Sequence, residues 1–345
     1  MMKKLFLVAL TLVLLAGLTA CNPSGSSTSE KTYKIGFASV TSMSASDAVG
    51  GEEAKDGQLQ QNVTYALIVL DGDTIVYLGF DTAQNSAKFD ATGTITSDTP
   101  KVTKKELKEG YGMAAVTGGL EWYEQIAALE EFAVGKTLAE FLAEPTEIGE
   151  EGHPVFTGDI ASSVSISVDA FLEAAEKAGA AAVEVKGISS AGFASITSIS
   201  ASSATTGDEG TAGSVTFNTS MAALAFDKDG KIVWASFDVA QTSRNTITAE
   251  GVATANTDLR TKMEKQGDYG MAAASPIGKE WYEQGEALNA YAVGKTLDEF
   301  LASPTEIGEE GSPVFTGDIA SSVSISVGDL LEAAAKIKSF TVEIK

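Results

Sequence analysis

The chain has one cysteine and one histidine in 345 residues. A lone cysteine, Cys21, leaves no partner for an internal disulfide and no second thiol for a metal or redox site. The lone histidine, His153, is matched by Ser312 in the second half of the chain, so no duplicated site depends on an imidazole base. That excludes a duplicated Ser-His-Asp nucleophile, and His153 reads as a surface residue. Cations are scarce too: 24 Lys and Arg against 47 Asp and Glu give a formal net charge of −23. Nucleic acid and anionic lipid both demand clustered Lys and Arg, so neither is an expected partner. Past the N-terminal segment no apolar run is long enough to span a bilayer.

What is present begins with a secretory signal over residues 1–21, with Lys3 and Lys4 as its charged start and Leu5 to Leu18 as its apolar stretch. Leu18-Thr19-Ala20-Cys21 resembles the lipobox of bacterial lipoproteins, in which the cysteine is diacylated and becomes the first mature residue. Cys21 is therefore the expected lipid anchor, holding the protein on the extracellular face of the cell membrane. Each buried CH2 of its acyl chains adds about 0.8 kcal/mol. Residues 22–31 are rich in Ser, Gly and Thr and read as a flexible tether.

The remainder is an internal repeat. A first copy spans 32–186 and a second 187–345, and Pro154 to Val168 returns without change as Pro313 to Val327 while neighbouring segments differ freely. In each copy the front half reads as antiparallel strands: Thr64 to Leu70 and Thr74 to Phe80 around Asp71-Gly72-Asp73, then Met221 to Phe226 and Lys231 to Phe237 around Lys228-Asp229-Gly230. Lys88 to Thr96 and Thr246 to Thr254 alternate and are expected to supply a further strand. The back half turns helical. Trp122, Ile126, Leu129 and Phe132 share a helical face, Gly135 caps it, and Thr137 with Glu140 forms a capping box for a second helix ahead of Pro145. Further helices are expected at Asp169 to Lys177 and Gly328 to Lys336, with closing strands at Ala182 to Val185 and Phe340 to Ile344. Strands then helices, twice, predict an α+β fold of two tandem homologous domains, each an antiparallel sheet with packed helices.

Within the invariant tract, Val164, Ile166 and Val168 alternate with Ser163, Ser165 and Ser167 at the period of a half-buried strand. A purely structural strand tolerates Val-for-Ile exchange at under about 1.5 kcal/mol, so unbroken identity of the hydroxyls points to chemistry. Val134-Gly135-Lys136-Thr137 and Val293-Gly294-Lys295-Thr296 are not phosphate-binding loops, because the required earlier glycine is Glu130 in one copy and Asn289 in the other.

Asp159-Ile160-Ala161-Ser162-Ser163-Val164-Ser165, repeated at Asp318-Ile319-Ala320-Ser321-Ser322-Val323-Ser324, is similar to the flavinylation motif of FMN-binding domains. With the lipobox, the tether, and the strings Tyr111-Gly112-Met113, Glu121 to Gln125 and Gly135 to Thr137, repeated at Tyr269-Gly270-Met271, Glu280 to Gln284 and Gly294 to Thr296, the mature chain resembles the two-domain extracellular electron-transfer lipoproteins of the PplA type. The resemblance implies two FMN groups, each moved from FAD by a separate flavin transferase and joined through a phosphoester to Ser165 and Ser324. Asp159 and Asp318 match the motif's acid, and Thr157, Gly158, Ser162, Ser163 and Val164, with Thr316, Gly317, Ser321, Ser322 and Val323, surround the attachment points. Tyr111 and Trp122, with Tyr269 and Trp281, are candidates for an aromatic wall, although Trp on an apolar helical stripe is also what a core supplies. The implied function is a redox carrier relaying electrons from a membrane oxidoreductase to an extracellular acceptor. The alternative is a surface ligand-binding or adhesion lipoprotein without flavin. Relatives also release a short apolar pheromone from the signal segment, here within Leu5 to Ala20.

Overall fold

Three long strands open each half of the chain, because their sequences are apolar on both faces of a sheet. In the computed structural model, which describes residues 30–345 apart from 118, 151, 207–209 and 310, β1 (Thr32–Ser46), β2 (Gly57–Asp71) and β3 (Thr74–Phe89) form an antiparallel meander. The β2–β3 hairpin turns at Gly72, whose φ of 63° suits glycine, as expected from Asp71-Gly72-Asp73. A short edge strand, β4 (Ile95–Ser97), follows. Next come α1 (Lys104–Leu107), α2 (Met113–Thr117), α3 (Trp122–Ala133) and α4 (Leu138–Leu142), then a small hairpin of β5 (Thr146–Ile148) and β6 (Pro154–Phe156). The half closes with α5 (Asp169–Ala180) and β7 (Val183–Lys186), giving sheet order β4-β3-β2-β1-β7.

The second half repeats this plan, a turn rather than a helix standing in the place of α2, with β8 (Ser190–Ser202), β9 (Gly213–Phe226), β10 (Ile232–Ile247), β11 (Ala253–Thr254), α6 (Lys262–Lys265), α7 (Trp281–Ala292) and α8 (Leu297–Leu301). It ends with β12 (Thr305–Ile307), β13 (Pro313–Phe315), α9 (Gly328–Lys336) and β14 (Val342–Glu343), and its sheet order is β11-β10-β9-β8-β14. The fold is mixed α and β, with antiparallel sheets and packed helices.

The period of two decides where each strand residue goes. On β2, Ala66, Ile68 and Leu70 face the helices and pack with Ile126, Leu129, Phe141 and Phe171. Val63, Tyr65, Leu67 and Val69 face the other way and meet Phe193, Met221, Ala223 and Ala225 of the second half. On β9, Ala222, Leu224 and Phe226 return to their own helices. The layers therefore run helix, sheet, sheet, helix, and Lys31–Lys345 is one compact unit. Gly36 on β1 is needed for the helix layer to seat, since a Cβ there would lie 2.0 Å from the carbonyl oxygen of Ala178 on α5.

Two expectations are corrected. The run Lys88 to Thr96 is not one strand: Lys88 and Phe89 end β3, and a turn closed by Asp90, which accepts from the amides of Thr92 and Thr94, precedes β4. In the second half Thr246 and Ile247 likewise end β10 before β11. The invariant tract is not a strand either. It is a 3-10 turn (Asp159–Ser162, and Gly317–Ser321 in the second half) followed by irregular backbone leading into α5 and α9. The alternation of Val and Ser is real, but its amides bond to the Gln125 or Gln284 side chain and to the 3-10 turn, and only Val168 and Val327 reach a strand end, at the carbonyls of Pro154 and Pro313. The signal segment, Cys21 and nearly all of the tether lie outside the described residues.

Candidate functional site

The tract is built on a glutamine. Trp122, Gln125, Ile126 and Leu129 occupy one face of α3 at spacings of three and four, so Gln125 is carried into the core stripe and is 2% exposed. A buried amide needs partners, and the tract provides them. The oxygen of Gln125 accepts the amides of Ser165 (2.8 Å) and Ile166 (3.2 Å) and the hydroxyl of Ser165 (3.3 Å). Its nitrogen donates to the carbonyl of Leu120 (3.1 Å) and lies 3.5 Å from the sulfur of Met113. Gln284 on α7 repeats this, accepting from the amides of Ser324 (2.8 Å) and Ile325 (3.2 Å) and the hydroxyl of Ser324 (3.1 Å), and donating to Lys279 and Ser275.

The rest of the tract serves the same presentation. Thr157 donates its amide to the carbonyl of Pro145, and Thr316 to that of Pro304, pinning each tract to the loop after α4 or α8. Gly158 and Gly317 adopt φ of 74° and 72°, and a Cβ on either would meet nothing within 4 Å, so these turns need glycine for its backbone and stand in open space. Asp159 and Asp318 follow at the exposed tip, where Ser162 and Ser321 donate to their carbonyls at 2.9 and 2.8 Å. The amides of Ser163 and Val164 both go to Ile160, and those of Ser322 and Val323 to Ile319. Val164 and Val168, with Val323 and Val327, are fully buried plugs that fasten the loop. Ser165 is exposed and Ser324 half-buried.

Of the aromatic candidates, Trp122 and Trp281 are core residues, 2% and 3% exposed. Tyr111 and Tyr269 are half-buried at the edge of the site. Tyr111 meets Trp122 edge-on at 6.5 Å between ring centres, and Lys104 stands over both rings at 4.9 and 5.6 Å. Lys262 repeats this over Tyr269 and Trp281 at 5.1 and 5.6 Å. In the first half a groove of about 610 Å³ opens beside Tyr111 and Met113. Ser165, Gln125, Met113, Tyr111 and Trp122 thus gather at the start of α3.

Gln125 and Gln284 are the residues that motif reading passes over. The signal was there, in a polar residue sitting on an otherwise apolar helical stripe in both copies of Glu-Trp-Tyr-Glu-Gln. His153 is exposed and bonds Asp169 at 2.9 Å, a pair that Ser312 and Gly328 do not repeat. Among the described residues no group of three or more His, Cys, Asp or Glu side chains is arranged to hold a metal ion. Comparisons with protein-family models, with curated proteins and with solved structures found no match.

Proposed function

We propose that the chain is a lipid-anchored, extracellular electron carrier whose two tandem FMN-binding-type domains each bear one FMN, esterified to Ser165 and Ser324. The observation that carries the reading is the duplicated placement of one serine per half, exposed in the first copy and half-buried in the second, on an irregular loop locked by a buried glutamine. A modifying enzyme must reach the hydroxyl, which favours such a loop over a strand in a sheet. The residues fit the group. A phosphodiester on either oxygen keeps its negative charge in water, so it needs no buried cation, and the space beside Gly158 and Gly317 is empty.

FMN supplies the redox chemistry when bound. The chain's own work is attachment, orientation and tuning. Gln125 and Gln284 set the direction of the two hydroxyls, and the net charge of −23 disfavours a reduced, anionic ring. A flavin transferase for maturation, a membrane oxidoreductase as donor and an extracellular acceptor are the partners this reading requires. The groove beside Tyr111 supports a second reading, a surface ligand-binding or adhesion lipoprotein.

Intact mass decides between them. The chain from Asn22 onward, coexpressed with a flavin transferase, is expected to gain two FMN groups, to lose one with Ser165→Ala or Ser324→Ala, and to lose both in the double variant. An unmodified, colourless protein throughout would support the binding lipoprotein instead.

A further inference from the structure

The two halves differ where the aromatic wall opens. Exposed apolar side chains on this molecule mostly come in matched pairs, Val134 with Val293, Ile148 with Ile307, and Val183 with Val342. Five do not: Val49 and Val252 lie elsewhere, while Val102, Val116 and Leu120, at 51%, 87% and 40% exposure, cluster around the groove and the start of α3. Counted from the capping threonines Thr103 and Thr261, and from Met113 and Glu121 with Met271 and Glu280, their counterparts are Arg260, Ala274 and Lys279.

Charge differs in the same place. Lys101 and Lys104 line the groove, and among the described residues neither has a carboxylate in ion-pair range. In the second half Lys262 keeps the place of Lys104, but Lys101 is replaced by Leu259, and the added cation, Arg260, is neutralised by Asp258 (2.9 Å) and Asp268 (2.8 Å). Asp268 directly precedes Tyr269. The groove also lies within reach of the attachment point. Met113 forms part of its wall, and only the side-chain amide of Gln125 separates the Met113 sulfur from Ser165.

We infer that the two attachment sites are unequal: the first-half groove seats the planar ring of the flavin carried on Ser165, and Lys101 and Lys104 favour its reduced, anionic form, so the Ser165 flavin has the more positive midpoint. The inference rests on the flavin-carrier reading. Apolar Val102 and Val116 supply a face for the ring, and Lys101, which the second half lacks, adds to Lys104 to supply the electrostatic preference in a chain of net charge −23. With its ring seat replaced by Ala274 and a neutralised Arg260, the Ser324 flavin stays nearer to solvent and to Asp268.

The test uses the flavinylated chain from Asn22 in two single-flavin backgrounds, Ser324→Ala and Ser165→Ala, with loading checked by intact mass. Spectroelectrochemical titration is expected to give a more positive midpoint, and flavin anisotropy a more immobile ring, in the Ser324→Ala protein. Lys101→Gln with Lys104→Gln should move that midpoint toward the value of the other background, Lys→Arg at both positions should restore it, and Val116→Glu should lower the anisotropy. Equal midpoints in two fully loaded proteins, or no response to the lysine substitutions, would overturn the inference while leaving the carrier reading intact. Absence of loading in both backgrounds would overturn the carrier reading, and the inference with it.

Discussion

At the scale of single residues, the two halves carry a natural double substitution that measures what a buried charge is worth. Glu130 accepts the amide of Phe80 and pairs with Lys105, both contacts at 2.6 Å. Burial pushes the Glu130 carboxyl up, an effect opposed by the Lys105 ammonium and by the Phe80 amide. In the second half Asn289 accepts the amide of Phe237 at 2.9 Å, and Met263 stands where Lys105 does. The backbone bond is kept and the ion pair is gone. Breaking a buried pair leaves one charge stranded, whereas replacing both partners costs little. The pair is half-buried, its side chains 28% and 19% exposed, so Lys105→Met alone should destabilise by about 1–2 kcal/mol, and Lys105→Met with Glu130→Asn by less than about 1 kcal/mol. Urea unfolding of the two singles and the double closes the cycle, and additive losses would show that the pair has no special role.

At the scale of elements, Asp81 on β3 holds the start of α1. Its Oδ1 accepts the amides of Thr82 (2.7 Å) and Lys105 (3.1 Å), and Thr103, the N-cap, bonds its side chain. Asp238 does the same for α6 through Val239 and Met263. Burial raises both carboxyls to about 6, against the pull of those hydrogen bonds. An acid whose value is raised by folding binds its proton more tightly in the native state, so its contribution to stability falls as pH rises from about 4 to about 6. For Asp81, the more buried of the two, the fall is on the order of 3 kcal/mol at about 1.4 kcal/mol per unit. Asp81→Asn keeps the acceptor oxygen and loses the titration. Its stability relative to the native chain should grow between pH 4.5 and 7, and a constant difference across that range would refute the assignment.

Elements were also where the sequence was most and least legible. Helices announced themselves through local chemistry, as at Thr137 and Glu140, whose capping box forms as read. The strand cores at Thr64 to Leu70 and Met221 to Phe226 did so through near-continuous apolar runs. The tract Val164 to Val168 carries the same alternation and is no strand, because period two reports which side chains are buried and not what the amides bond to. Here Gln125, forty residues away along the chain, takes two of those amides. Such long-range acceptors leave only a faint trace, a polar residue in an apolar stripe.

At the scale of the molecule, the sheet-on-sheet core joins the two halves into one compact unit, and its contacts are near two-fold symmetric. Lys336 on α9 bonds the carbonyl of Ser195 and the carboxylate of Glu106 in the other half, while Lys177 on α5 bonds the carbonyl of Ser39 and the carboxylate of Glu264. Each contact is the mirror of the other, as in an isologous interface. The symmetry breaks at Tyr65, whose hydroxyl meets Ser195 at 2.9 Å, for its counterpart Met221 offers Ser39 no such bond and the Ser39 hydroxyl stays buried without a partner. Phe193 from the second half packs between Tyr65 and Phe37 at 5.6 and 6.2 Å. Because this core belongs to neither half alone, calorimetry of the chain from Asn22 should show a single transition. Phe193→Ala should lower the stability of the whole by about 3–5 kcal/mol, the cost of emptying an aromatic site. Two separate transitions, with Phe193→Ala moving one and sparing the other, would mean that the halves fold independently and that the shared core is only a docking surface.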